Sequence, residues 1–179
     1  MLNLPNKITL FRVIMIPVFL LVYLNQSIPY GNYIAAAIFL IAALSDFLDG
    51  YIARKHNLIT NFGKFMDPLA DKLLVSAALI CFVEFNLLSA WIVFIIIARE
   101  FIISGFRLVA SDNGVVIAAS WWGKIKTNLQ MIMSVMLIIN LDNPIINNLE
   151  QVVIYLALIL TVISLVDYIV KNISVLHER

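Results

Sequence analysis

"DFLDGYIARKHNLITNFGKFMDPLAD", residues 46–71, gathers four of the chain's seven aspartates into one window flanked by apolar sequence. Asp46 and Asp49 are three apart and share a helix face near the end of a predicted second helix. Asp67 and Asp71 are four apart and repeat the arrangement at the predicted start of a third. The residues between Asp49 and Asp67 are expected to form a connection that brings the two helix ends side by side. Carboxylates repel one another and are costly near hydrocarbon, so this convergence calls for a positive partner. Oxygen ligands without His or Cys favour a hard divalent cation, Mg²⁺ or Mn²⁺, and four acids suit two ions with bridging carboxylates.

The rest of the chain sets that window in a membrane. Of 179 residues 63% are hydrophobic and 13% charged, with a mean hydropathy of +0.99. A soluble domain carries about 25% charged residues and cannot hide so much apolar surface. The net charge of +1 lacks the basic surplus of a nucleic-acid-binding protein, so no nucleic-acid partner is expected. Cys81 stands alone, which rules out an intrachain disulfide.

Six apolar runs, about 8–24, 33–54, 68–86, 88–108, 124–141 and 149–170, approach the roughly 20 residues needed to cross a bilayer. The first is read as a retained helix rather than a signal peptide, bent near Pro17. The expected fold is an all-α integral membrane bundle of six transmembrane helices, forming a single domain over 1–179. The segments 25–32, 84–89 and 142–148 contain no Lys or Arg, whereas all basic residues except Arg99 fall toward the opposite side. The positive-inside rule then places both termini and the aspartates in the cytoplasm of a cell whose plasma membrane the chain spans.

Around the acids, Gly50 and Gly63 allow close approach of backbone or ligand, and Ala53 leaves room on the acidic face. Arg54 matches the geometry of a phosphate oxygen. Thr9 and Arg12 fit a contact to a nucleotide or phosphate, and fit a plain helix start equally well. The combination suits a diphosphate.

Asp46, Asp49, Gly50, Ala53, Arg54, Gly63, Asp67 and Asp71 reproduce without departure the pattern D-x2-D-G-x2-A-R-x8-G-x3-D-x3-D. The segment thereby resembles the signature of the CDP-alcohol phosphotransferase family, whose members are similar in size and have six membrane helices. The resemblance implies transfer of a phosphatidyl-type group from a CDP-linked lipid to an alcohol, with release of CMP. It implies metal binding by Asp46, Asp49, Asp67 and Asp71, with Asp71 also serving as base. The residues alone do not separate Asp71 from Asp67 in that role. Asp46, Gly50, Ala53, Arg54, Gly63 and Thr9 are assigned to the CDP-donor, and a homodimer is expected from family likeness.

The acceptor is read from "AREFIISGFRLVASDNG" and "ASWWGKIKTNLQM", residues 98–114 and 119–131. Arg107, Lys124, Arg99 and Lys126 form a candidate pocket for an acceptor phosphate, while Arg99 beside Glu100 also fits a purely structural pair. With the opening "NLPNKITLFRVIMIP", these segments resemble the bacterial phosphatidylglycerophosphate synthase subgroup, which implies CDP-diacylglycerol as donor and glycerol 3-phosphate as acceptor. Serine and inositol phosphate are the competing acceptors. A cation-coupled transporter is the alternative from another class, but helices two and three turn apolar beyond the aspartates. Trp121 and Trp122 are expected as interfacial anchors, and His56 and His177 are assigned no role.

Overall fold

The structure, a computed structural model, describes residues 3–55, 60–112, 115, 117 and 120–173; for 47–51, 53, 54, 61, 62, 64, 65 and 112 only the backbone is described. Six helices account for nearly all of it: α1 (Leu4–Leu24), α2 (Gly31–Lys55), α3 (Asn61–Glu84), α4 (Ala90–Asp112), α5 (Trp121–Ile139) and α6 (Pro144–Asn172). Among them α1 and α6 are long and apolar enough to cross a membrane, which is consistent with a membrane protein.

Helix starts follow local chemistry that the hydropathy runs do not register. Asn3 caps α1 by accepting from the Asn6 backbone N–H, and Asn143 caps α6 by accepting from that of Ile145. Thr60 caps α3 through the Gly63 N–H at 3.0 Å. That cap corrects the expected start near residue 68 and the expected long connection, because α2 continues to Lys55 and α3 is already under way at Asn61. Asp67 and Asp71 therefore lie on the second and third turns of α3. Pro68 sits inside that helix and offers no N–H to the carbonyl four residues back. Similarly, α5 opens on the exposed Trp121 and Trp122 rather than at 124.

Contacts divide the chain into two compact units, one comprising 1–85 with 137–140 and the other 86–136 with 141–179. In the first, α1 packs on α2 and α3, and α2 packs on α3. Small residues, Ala35 and Ala42 on α2 and Ala78 on α3, are fully buried and admit close helix approach. Tyr23 stacks on Phe19 at 5.5 Å and meets Phe82 and Phe85 edge-on. Its hydroxyl donates to the Leu137 carbonyl at 3.3 Å, tying the last turn of α5 to this unit.

In the second unit α4 packs on α6. Buried α6 residues recur as Val153, Ala157, Thr161, Ser164 and Tyr168, the spacing of one helix face. Ile145, Leu149, Val152, Leu156, Ile159, Ile163 and Val166 remain exposed, a surface suited to hydrocarbon rather than water.

Candidate active site

The polar entry of α1 organises the acids of the first unit. Asn6, Thr9 and Arg12 recur every third residue and are 4%, 1% and 0% exposed. Arg12 reaches α2, where its Nη1 donates to Asp46 Oδ1 at 2.7 Å and its Nε to Ser45 Oγ at 3.3 Å. Ser45 in turn donates to the Ala42 carbonyl at 2.7 Å. One turn earlier, the Thr9 hydroxyl stands 2.5 Å from Asp67 Oδ1 on α3 and 3.1 Å from the Pro5 carbonyl, with one proton to share between them. Asn6 Oδ1 accepts from the Thr60 hydroxyl at 2.8 Å, so α1 also secures the cap of α3.

Gly63 suits this close approach. A Cβ there would stand 3.2 Å from Asn6 Oδ1, 3.3 Å from Thr60 Oγ1 and 3.5 Å from Asp67 Oδ2. Room at the glycine is taken up by α1 and by the Asp67 carboxylate.

The donor chemistry suits a hard cation. Asp46 and Asp67 are each gripped through Oδ1, and neither grip uses Oδ2. Asp46 keeps a side chain 42% exposed beside a guanidinium that is fully buried. Asp71 lies one turn beyond Asp67 and is half-buried. Among the described residues no three acids close into one metal-ready cluster. The side chain of Asp49 lies outside the described residues, as do the surroundings of Gly50, Ala53 and Arg54; the backbone places all four on α2.

The second unit holds a different charge group. Arg99 Nη1 donates to Glu100 Oε1 at 3.0 Å, Lys126 Nζ makes a short contact with the same oxygen, and Arg99 Nε donates to Ser164 Oγ at 3.1 Å. Arg99 and Lys126 are buried, so two enclosed cations face one carboxylate. Gly123 leaves room for the guanidinium, since a Cβ there would approach Arg99 Nη2 to 3.2 Å. Ser104 spends its hydroxyl on the Glu100 carbonyl at 2.6 Å. Arg107 is exposed and lies over the Tyr168 ring at 5.9 Å, and Lys124 is exposed at the start of α5.

Comparison with known proteins decides what these groups belong to. Residues 2–163 match the model of the CDP-alcohol phosphatidyltransferase family. The chain belongs to that family. It is 47% identical to a Bacillus subtilis CDP-diacylglycerol–glycerol-3-phosphate 3-phosphatidyltransferase, over 96% of each chain. It is 41% identical to a Haemophilus influenzae protein of the same name, over 93% of this chain and 91% of that one. A Mycobacterium tuberculosis protein named probable phosphatidylglycerophosphate synthase is 39% identical, over 94% of this chain and 81% of that one. The chain is thus an enzyme, a CDP-alcohol phosphatidyltransferase.

For this phosphatidyltransferase, the structure brings Asp46 and Asp67 under common control of α1. Thr9, read from sequence as a donor contact, is engaged with Asp67. Of the four cations proposed for the acceptor phosphate, Arg99 and Lys126 already share Glu100, whereas Arg107 and Lys124 face outward. Sequence reasoning leaves Arg12 undecided, sees Glu100 as a structural partner for Arg99 in one of two readings, and passes over Asn6 and Thr60. The available signal for Arg12 and Asn6 is the polar spacing Asn6-x2-Thr9-x2-Arg12 in an otherwise apolar helix.

Proposed function

We propose that this phosphatidyltransferase moves the phosphatidyl group of CDP-diacylglycerol to a hydroxyl of glycerol 3-phosphate, giving phosphatidylglycerol phosphate and CMP. The observation that carries this is the complete eight-residue motif on α2 and α3, in a chain resembling along most of its length proteins named for that reaction.

The acceptor oxygen attacks the lipid-bearing phosphorus. A new P–O bond forms, the bridging P–O bond breaks toward CMP, and the hydroxyl proton passes to a carboxylate. Asp71 is assigned as that base. Asp46, Asp49, Asp67 and Asp71 hold a pair of Mg²⁺ or Mn²⁺ ions, which when bound offset the charge of the diphosphate oxygens and leaving group. Gly50, Ala53, Arg54 and Gly63 are assigned to the donor headgroup. Arg107 and Lys124, the exposed members of the cationic set, recognise the acceptor phosphate, while Arg99 and Lys126 are engaged by Glu100.

The same proposal includes six spans, cytoplasmic termini, a cytoplasm-facing reaction centre in a bacterial plasma membrane, one functional domain over 1–179 and a homodimeric assembly. Purified protein given CDP-diacylglycerol and either glycerol 3-phosphate, serine or inositol phosphate tests the reaction. CMP release should require glycerol 3-phosphate and a divalent cation, and should vanish in chelator. Preference for another acceptor overturns the substrate assignment. Single cysteines at Ser111 and Ser27 in a Cys81→Ser background test orientation. In intact cells an impermeant thiol reagent should label position 27 and spare 111, and the reverse pattern overturns the topology.

A further inference from the structure

We propose that Arg12 and Thr9 are positioning residues that set the two acid-bearing helices for metal binding: one α1 face grips Asp46 through Arg12 and Asp67 through Thr9. The inference rests on Asp46 and Asp67 being metal ligands.

An arginine fully buried in an apolar helix is costly, and a well-packed apolar side chain would serve stability as well or better. What the guanidinium supplies instead is direction. Two of its donors fix Ser45 and Asp46 together, while the Asp46 side chain stays 42% exposed and so remains available from the other side. Thr9, three residues earlier, makes the corresponding contact to Asp67 at 2.5 Å. Because α2 and α3 are separate helices, two grips from one rigid helix fix the acids relative to each other. Hydrogen bonds to ligating carboxylates orient them, and losing such a bond weakens metal affinity by about tenfold to a hundredfold.

A simple counter-ion role predicts the opposite sign. If Arg12 only offset acid repulsion, removing its charge would strengthen attraction for a divalent cation.

The test is direct Mn²⁺ titration, followed by the electron paramagnetic resonance of free Mn²⁺, on full-length protein in lipid nanodiscs without substrate. Arg12→Lys keeps the charge and loses the two-pronged geometry; it should weaken Mn²⁺ binding about tenfold or more. Arg12→Gln should weaken it at least as much, and Thr9→Val, which preserves shape, severalfold. The activity deficit of Arg12→Lys should shrink as Mn²⁺ is raised, with the KM for glycerol 3-phosphate unchanged.

Tighter Mn²⁺ binding by Arg12→Gln overturns the positioning role in favour of a counter-ion. Wild-type Mn²⁺ affinity in both Arg12→Lys and Thr9→Val overturns it in favour of a purely structural contact. Failure of the wild type to bind Mn²⁺ overturns the metal reading together with this inference. Mn²⁺ binding lost in Asp67→Asn but intact in Thr9→Val and Arg12→Lys keeps the metal reading and removes this one.

Discussion

In the α1–α3 unit the cation is enclosed and the acid is presented: Arg12 is fully buried, while Asp46 beside it keeps a side chain 42% exposed. In the α4–α6 unit the carboxylate bridges: Glu100, 26% exposed, joins the buried Arg99 and Lys126, and the exposed charges are those of Arg107 and Lys124. In the first unit the buried cation fixes geometry and leaves its carboxylate within a ligand's reach; in the second the carboxylate is itself committed to two buried cations. An acid of the first unit should therefore matter for chemistry more than for folding. Glu100 should matter for folding first.

The largest contrast is expected at the acids themselves. Asp71→Asn should lower kcat by about a hundredfold to ten-thousandfold, the range for losing a positioned base, with normal membrane insertion. Asp67→Asn keeps an oxygen for Thr9 to bond, and should likewise abolish most CMP release while leaving the thermal midpoint near wild type. A fall in midpoint matching the loss of activity would erase the distinction between the units.

Glu100→Gln is the counterpart. It removes the carboxylate charge that two buried cations share, and breaking a buried ion pair costs about 3–5 kcal/mol; with Glu100 partly exposed, roughly 3 kcal/mol is expected, read as a lowered thermal midpoint in detergent. If stability holds and only acceptor use suffers, Glu100 belongs with the binding residues.

A smaller effect is expected at Arg107. A hydrogen bond from a charged group is typically worth about 1.5–3 kcal/mol, so Arg107→Gln should raise the KM for glycerol 3-phosphate roughly tenfold to a hundredfold. Donor saturation should change much less. Impaired CDP-diacylglycerol binding with unchanged acceptor saturation would move Arg107 to the donor site. Smallest of all, Lys124→Gln should raise that same KM only severalfold, because an exposed ammonium contributes a screened point charge rather than a two-pronged contact. An effect equal to that of Arg107→Gln would make the two cations a single unit.

Much of the candidate site is legible in the order of residues alone. The motif residues sit on α2 and α3 as their spacing requires, and hydropathy locates all six helices. Hydropathy does not locate their starts. Thr60, Asn3 and Asn143 are polar, so a hydropathy window stops short of them, yet each satisfies an N–H that would otherwise lack a partner. The cap at Thr60 is also why the link between α2 and α3 is shorter than the apolar runs suggest. The pairing of Arg99 with Glu100 is visible as one of two alternatives because those residues are neighbours in the chain.

What the sequence by itself determined was local: which acids share a helix face, which residue types can hold a hard cation, and that so apolar a chain belongs with membranes. These follow from composition and the 3.6-residue helical repeat, which need no knowledge of neighbouring helices. Only the tertiary structure decided partners. Arg12 meets Asp46 across 34 positions, Thr9 meets Asp67 across 58, Lys126 meets Glu100 across 26 and Arg99 meets Ser164 across 65. Each pairing depends on how far one helix is slid and rotated against another, and packing of the whole face sets that register. Spacing along the chain therefore put the acids on their helices, and packing chose the residues that hold them.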